Sequence, residues 1–354
     1  MIHSFRFTKT ELGIANGVKA LTECGTRKQE RFIGAPCYET ANDDCVFTLQ
    51  KKPGKDFVIL NITDPHFADY DIRSMMAFSE SMTIRRLVKA VKPDLITVTG
   101  DLVCSDFAAY SLKRICALFE SFGIPWAPVF GNHEDESNMD KNYMADTFLS
   151  CPHCLFKKND PNMGVGNYII NIADGSRIVE SLFMMDSGHS QANEAQREWF
   201  RNNAETINKK TGGKAEITVM FHIPLPEYQY AYDAAFITFG RKWREEYKAC
   251  GERHEDICCE KRDGVPVQRG FFDIMKKART VKYVFCGHEH LIDFSILYQG
   301  IRLTYTMKVG KASGGGFALN GGTEIRIGDS GIHKILQKTV SYGPIVNKET
   351  IITP

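Results

Sequence analysis

Residues Ile124–Glu134 read IPWAPVFGNHE, an apolar run that stops at Gly131 and passes without a break into Asn132, His133 and Glu134. A buried strand that ends in a glycine turn delivers its next residues to the carboxyl edge of a sheet, where open α/β sheets bind ligands. Four other apolar runs end in the same kind of residue. Phe57–Ile62 leads into Thr63-Asp64-Pro65-His66, Asp94–Thr99 into Gly100-Asp101, Glu216–Phe221 into His222, and Val281–Cys286 into Gly287-His288-Glu289-His290.

Between these runs the spacing of apolar residues changes to three and four. Helices are expected at Ile72–Val91 and Phe107–Phe122, so strand and helix alternate through the first half as in parallel βαβ units. Beyond the organising stretch, helices are expected at Tyr143–Leu149, Asn193–Ile207 and Phe271–Ala278. Asn167–Ile172 and Ile178–Met185 read as a hairpin about Gly175, and Tyr228–Gly251 as an aromatic-rich helix or helix pair. Short strands follow at Phe294–Tyr298, Arg302–Met307, Thr323–Ile327 and His333–Leu336. Residues 1–55, with short strands at Phe5–Phe7 and Cys45–Leu49, read as an N-terminal extension packed on the core. No Pro/Ser-rich linker divides the remainder, so 56–354 is expected to form one α/β catalytic domain with two packed sheets.

The strand ends carry carboxylates (Asp64, Asp101), an amide oxygen (Asn132) and imidazoles (His66, His222, His288, His290). Such donors suit Zn, Mn or Fe(II). Seven are too many for one four-coordinate ion; they suit two ions that share a carboxylate, and Asp101 is the natural bridge. Asp64 and His66 can point to one side if the chain stays extended through Pro65, and His288 and His290 likewise. Taken singly each residue has an ordinary reading: Asp64 or Asp101 as a helix cap, Asn132 as a turn residue, His222 as a core histidine. Their joint occurrence at five strand ends is what points to a metal centre.

The set D-x-H, G-D, G-N-H-E, a lone His and G-H-x-H resembles the calcineurin-like metallophosphoesterase family over about residues 57–310. The resemblance implies a four-layer α/β/β/α sandwich with two packed mixed sheets, and metal-dependent hydrolysis of phosphoric esters by a hydroxide bridging two metal ions. It implies that Asp64, His66, Asp101 and His290 hold one ion while Asp101, Asn132, His222 and His288 hold the other. It gives His133 a catalytic role at the leaving oxygen and makes Glu134, aspartate in many relatives, its orienting partner. Gly164-x-Gly166-Asn167-Tyr168, Asp186-Ser187-Gly188, Gln196-x-x-Trp199, His222-Ile223-Pro224-Leu225-Pro226 and Gly270-Phe271-Phe272 resemble a narrower branch related to purple acid phosphatases. That branch implies a phosphomonoester substrate. Purple enzymes carry a tyrosine three residues after the G-D aspartate and lack His66; here Cys104 stands at that place, so no purple colour and no Cys104 ligand are expected. A phosphodiesterase and a non-catalytic metal-bound scaffold are the alternatives.

Composition excludes other classes. The 354 residues are 43% apolar and 25% charged with a formal net charge of +1, which offers no electrostatic footprint for nucleic acid. No stretch approaches the roughly 18 unbroken apolar residues of a membrane span. MIHSFRFTKTELG lacks the apolar core of a secretory signal, so a cytoplasmic location is expected. Eleven cysteines include the pair Cys151/Cys154 and the group Cys250/Cys258/Cys259; neither has a complete zinc-ligand pattern, and both read as free or structural thiols. Tyr228, Tyr230, Tyr232, Phe236 and Phe239 either wall the substrate cleft or pack on the core. Nothing in the pattern specifies an oligomeric state.

Overall fold

Three adjacent strands are buried along their whole length: β2 (Phe57–Ile62), β3 (Leu95–Thr99) and β4 (Trp126–Val129). They run parallel, β2 beside β3 beside β4, and near-continuous apolar strands of this kind need cover on both sides. The computed structural model that supplies it describes residues 45–68, 72–105, 107–158, 161–188, 192–258, 270–309, 320–340 and 346–352. The expected strand at Phe5–Phe7, most of the N-terminal extension and Cys259 lie outside the described residues.

Two sheets stack face to face. The six-stranded sheet has the order β15-β14-β13-β2-β3-β4, where β13 is Gly321–Gly328, β14 Gly331–Val340 and β15 Val346–Ile352. The seven-stranded sheet has the order β1-β5-β6-β7-β10-β12-β11. Its members are β1 (Val46–Gln50), β5 (Tyr168–Asp174), β6 (Arg177–Met184), β7 (Glu216–Met220), β10 (Val281–Cys286), β11 (Ser295–Tyr298) and β12 (Ile301–Tyr305). Strand β6 lies against β4, β13 and β14 across the sheet interface, and the Tyr168 hydroxyl donates to the Pro128 carbonyl at 2.6 Å, joining the two layers. Pro128 is accommodated because β4 is an edge strand.

Helices cover both outer faces. α1 (Ile72–Val91) lies on the six-stranded sheet, and α2 (Ala108–Glu120) packs against α4 (Lys141–Leu149). Leu112, Ile115, Cys116 and Phe119 of α2 are buried at three- and four-residue spacing, a single apolar stripe. On the other side α5 (Glu194–Thr211) and α7 (Phe271–Ala278) pack on each other over β6 and β10. Asn193 and Gln196 exchange side-chain-to-backbone bonds at the start of α5, and Gly212 closes it in the left-handed conformation. The result is the four-layer sandwich of two mixed sheets.

The differences from expectation are local. Cys45–Leu49 is a strand, but as β1 it pairs in parallel with β5 and extends the seven-stranded sheet. The segment Tyr228–Gly251 is not a helix pair: α6 (Pro226–Ala235) ends at Phe236, and a two-residue-rung hairpin follows, β8 (Phe236–Ile237) with β9 (Lys242–Trp243). Tyr228 is fully buried, and Tyr232, Phe236, Trp243 and Phe294 pack ring on ring, so most of these aromatics serve the core; Phe239 is exposed. No helix among the described residues is long and apolar enough to cross a membrane.

Candidate metal centre

The carboxyl ends of β2, β3 and β4 in one sheet meet those of β7 and β10, adjacent parallel strands of the other. Backbone bonds join four of the five turns in two pairs: Asp64 N–H to the Gly100 carbonyl at 3.2 Å and His66 N–H to the Asp101 carbonyl at 3.0 Å, and Gly287 N–H to the His222 carbonyl at 3.0 Å. The turns are tight. Asp64, His66, Asp101 and His288 all have positive φ, at 51°, 44°, 53° and 85°, a region that non-glycine residues occupy at a cost and that recurs at functional sites. The chain is therefore not extended through Pro65; Asp64 and His66 converge because both turn left-handed. Gly131 and Gly287 are required by close approach: a Cβ on Gly131 would stand 2.1 Å from Asp101 Oδ1, and one on Gly287 would stand 2.8 Å from Asp64 Oδ2.

Each aspartate has one oxygen held by backbone and the other turned inward. Asp64 Oδ2 accepts from His288 N–H at 3.1 Å and Asp101 Oδ1 from His133 N–H at 2.9 Å. The free oxygen of Asp64 lies 3.5 Å from His66 Nε2 and 3.4 Å from His290 Nε2. That of Asp101 lies 3.3 Å from His66 Nε2 and 3.1 Å from His222 Nε2. His222 Nδ1 donates to the Thr99 carbonyl at 2.7 Å, which leaves the Nε2 lone pair facing Asp101 and, at 3.2 Å, Asn132 Oδ1. Two compact clusters result, Asp64/His66/His290 and Asp101/His222/His288.

Lone pairs from several neutral or anionic donors thus point at shared space. Asp64 Oδ1 and His66 Nε2 are buried and make no hydrogen bond; buried polar atoms are rarely left so, and a cation satisfies both. Protonation of the imidazoles is the competing solution. Burial works against charge on His222, but Asp101 and Asp64 outweigh it and hold its pKa at about 9. Burial likewise opposes charge on Asp64, yet His222, His290 and His66 draw its carboxyl far below the usual range. His288, pushed down to about 4 by burial and by His222, stays neutral and free to donate a lone pair.

The sequence profile of calcineurin-like phosphoesterases matches residues 57–291, the span that contains all five strand ends. The chain belongs to the calcineurin-like phosphoesterase family. It is 28% identical over 74% of its length to 72% of "Probable inactive purple acid phosphatase 29" of Arabidopsis thaliana. It is 28% identical over 60% of its length to 38% of "Phosphatase DCR2" of Saccharomyces cerevisiae. A dimetal phosphatase structure from Danio rerio superposes with a TM-score of 0.54 at 11% identity, covering 84% of this chain and 99% of the other; the likeness is one of fold. Membership of the family implies a dinuclear divalent metal centre, and the two clusters have the donors for it.

One expected contact is absent. Glu134 does not touch His133. It is fully buried beneath the turns, and its carboxylate accepts the N–H groups of Gly131 at 2.7 Å, Asp101 at 3.1 Å and Val103 at 3.1 Å. The physical reason is helix geometry. Asn132 opens the short helix α3 (Asn132–Glu136), and a carboxylate in the first turn folds back on the preceding N–H groups. Burial and the neighbouring Asp101 charge push its pKa up to about 7 against those N–H bonds.

The residue that does face His133 is Glu136, whose Oε2 lies 2.8 Å from His133 Nδ1. Three residues apart on a helix puts them on one face, a signal present in the sequence and missed there. The opposite ring nitrogen, Nε2, points inward, 3.8 Å from Asp101 Oδ2. Burial opposes charge on His133, but Cys104 and Asp101 hold it at about 9. Cys104 Sγ is 3.7 Å from His133 Nδ1, and His133 and His66 draw its thiol down to about 6. The branch motifs form a polar network beside the site: Asn167 Oδ1 accepts from Gln196 at 2.9 Å and from Asp186 N–H at 3.2 Å, while Ser187 Oγ accepts from Ile223 N–H at 3.1 Å. This fastens the loop after β6 to the turn that carries His222.

Proposed function

We propose that this chain is an active phosphatase that hydrolyses phosphomonoesters, with Asp64, His66, Asp101 and His290 holding one divalent ion and Asp101, Asn132, His222 and His288 the other. The observation that carries the reading is the placement of Asp101 Oδ2, nearly equidistant from His66 and His222 at 3.3 and 3.1 Å. One buried carboxylate oxygen between two imidazole clusters is suited to being shared. The oxygen and imidazole donors favour Zn, Mn or Fe(II). Two such ions, when bound, acidify a water and neutralise charge developing on phosphoryl oxygens.

The chain's own residues supply the rest. His133 turns Nε2 toward the pocket while Nδ1 is anchored on Glu136, so a charged His133 can give a proton to the leaving oxygen as the P–O bond breaks. Glu136 favours that charged form and fixes the ring plane. Glu134 acts one layer down, holding the backbone at Gly131, Asp101 and Val103 so that Asn132 and Asp101 stay aimed. Activity is supported by the simultaneous presence and convergence of all seven donors and His133. The monoester class is supported by similarity to a Saccharomyces cerevisiae relative named as a phosphatase.

The test is a comparison of p-nitrophenyl phosphate with bis-p-nitrophenyl phosphate on Zn-, Mn- and Fe-loaded protein. Faster turnover of the monoester is expected. Preference for the diester moves the assignment to a phosphodiesterase, and no turnover of either by protein carrying two ions moves it to a metal-bound scaffold.

A further inference from the structure

Cys104 sits three residues past Asp101, on the loop that leaves β3. Its Sγ, a ring nitrogen of His66 and one of His133 all lie within 4.8 Å of one another. A second, independent observation marks the same spot: His66 Nε2 and Asp64 Oδ1, both buried, have no hydrogen-bond partner, and His66 also belongs to the Asp64/His66/His290 cluster. The thiol therefore borders His66, one of the two groups left unsatisfied, and His66 links it to the cluster that holds Asp64.

We propose that Cys104 is a thiolate ligand of the ion held by Asp64, His66, Asp101 and His290, so that this half of the centre is a mixed sulfur, nitrogen and oxygen site. The inference rests on the proposed dinuclear centre and deepens it. Sulfur and nitrogen donors at about 2.3 and 2.1 Å from one five-coordinate ion stand about 3.1 to 3.8 Å apart, for angles between a right angle and about 120°. Against the 4.8 Å limit of the cluster, the thiol needs to move by little more than about 1 Å, within the reach of a rotation about its single χ angle. The step conserves charge and atoms: the thiol S–H bond breaks, its proton leaves to solvent, and the sulfur lone pair goes to the ion. His133 then keeps Glu136 as the sole close partner of Nδ1 in place of a partner shared with Cys104.

The chemical consequence is metal choice. An all-oxygen-and-imidazole centre accepts Mn readily, whereas a thiolate selects for softer ions such as Zn and Co. The two halves of the centre would then differ in preference, the Cys104 side softer than the Asn132 side.

The test uses the full chain, purified, stripped and reloaded with Co or Zn. Wild type carrying two cobalt ions is expected to show a thiolate-to-cobalt charge-transfer band in the near ultraviolet, and the Zn form a sulfur scatterer at about 2.3 Å by X-ray absorption. Cys104→Ser and Cys104→Ala should both lose the band and the scatterer, and Zn should bind the affected half about 10- to 100-fold more weakly. A thermal melt of each stripped variant separates loss of the ligand from loss of the fold. Two bound ions with no sulfur signature, or a signature that survives in Cys104→Ser, overturns the Cys104 assignment and leaves the dinuclear centre standing. Failure of wild type to bind two ions overturns the dinuclear centre, and this inference with it.

Discussion

Replacing Glu134 and Glu136 separately tells a carboxylate that shapes the site from one that works in it. Glu134 is fully buried and accepts three backbone N–H groups, from Gly131, Asp101 and Val103. Glu134→Ala leaves those donors buried without partners, at about 1–3 kcal/mol each, partly offset because a group whose own burial is unfavourable has gone. The net expectation is a loss of about 3–5 kcal/mol. With an unfolding entropy of about 2.1 cal/mol/K per residue over the roughly 270 described residues, that lowers Tm by about 5–9 °C. Because Asp101 is one of the three anchored residues, metal affinity should fall as well. Glu136 has its side chain 38% exposed and meets His133 at 2.8 Å, so Glu136→Gln should shift stability by less than about 1 kcal/mol while lowering kcat. Melting curves of the stripped proteins and steady-state kinetics of the reloaded ones decide. The reasoning is refuted if Glu134→Ala melts with the wild type yet loses turnover, or if Glu136→Gln turns over normally.

Three further outcomes are expected. His133→Ala should retain both metals and lose about 10²- to 10⁴-fold in rate; near-normal turnover with metals bound sinks its role at the leaving group. Gly131→Ala should fold but bind metal poorly, since its Cβ would stand 2.1 Å from Asp101 Oδ1; metal analysis giving two tight ions contradicts the close-approach argument. Glu180 is fully buried, and burial together with the Glu216 charge raises its pKa well above the ordinary carboxylate range. The folded chain thus keeps a proton that the unfolded chain releases, so wild-type stability should decline as pH rises from about 4.5 toward the raised folded value. Glu180→Gln should flatten that decline in urea titrations, and an unchanged pH slope counts against it.

Much of this was readable from residues alone because the fold and the site share one device. A strand buried on both faces must be a continuous apolar run, and its ligands must follow it directly, so Val281–Cys286 and the His288/His290 pair announce each other. Alternation of strand and helix likewise set the parallel order of β2, β3 and β4. What escaped depends on tertiary contacts. Glu134 is decided by three N–H groups from two separate turns, and no local pattern reports on a donor 33 residues away at Asp101. The aromatic segment after His222 has helical spacing, yet Trp243 and Phe236 gain more by packing against Tyr232 as a hairpin. Strand β15 went unseen because VNKETII alternates too weakly to stand out before it pairs with β14.

The central claim is that two ions share Asp101 and that hydrolysis depends on them. It is tested most directly by counting metals per chain in wild type and Asp101→Asn while following p-nitrophenyl phosphate hydrolysis through chelation and reloading. The account predicts two ions and turnover in wild type, loss of turnover on chelation with recovery on adding Zn or Mn, and loss of both ions' tight binding in Asp101→Asn. Turnover that persists in fully stripped protein, or an Asp101→Asn variant that still binds two ions tightly and turns over, would contradict it.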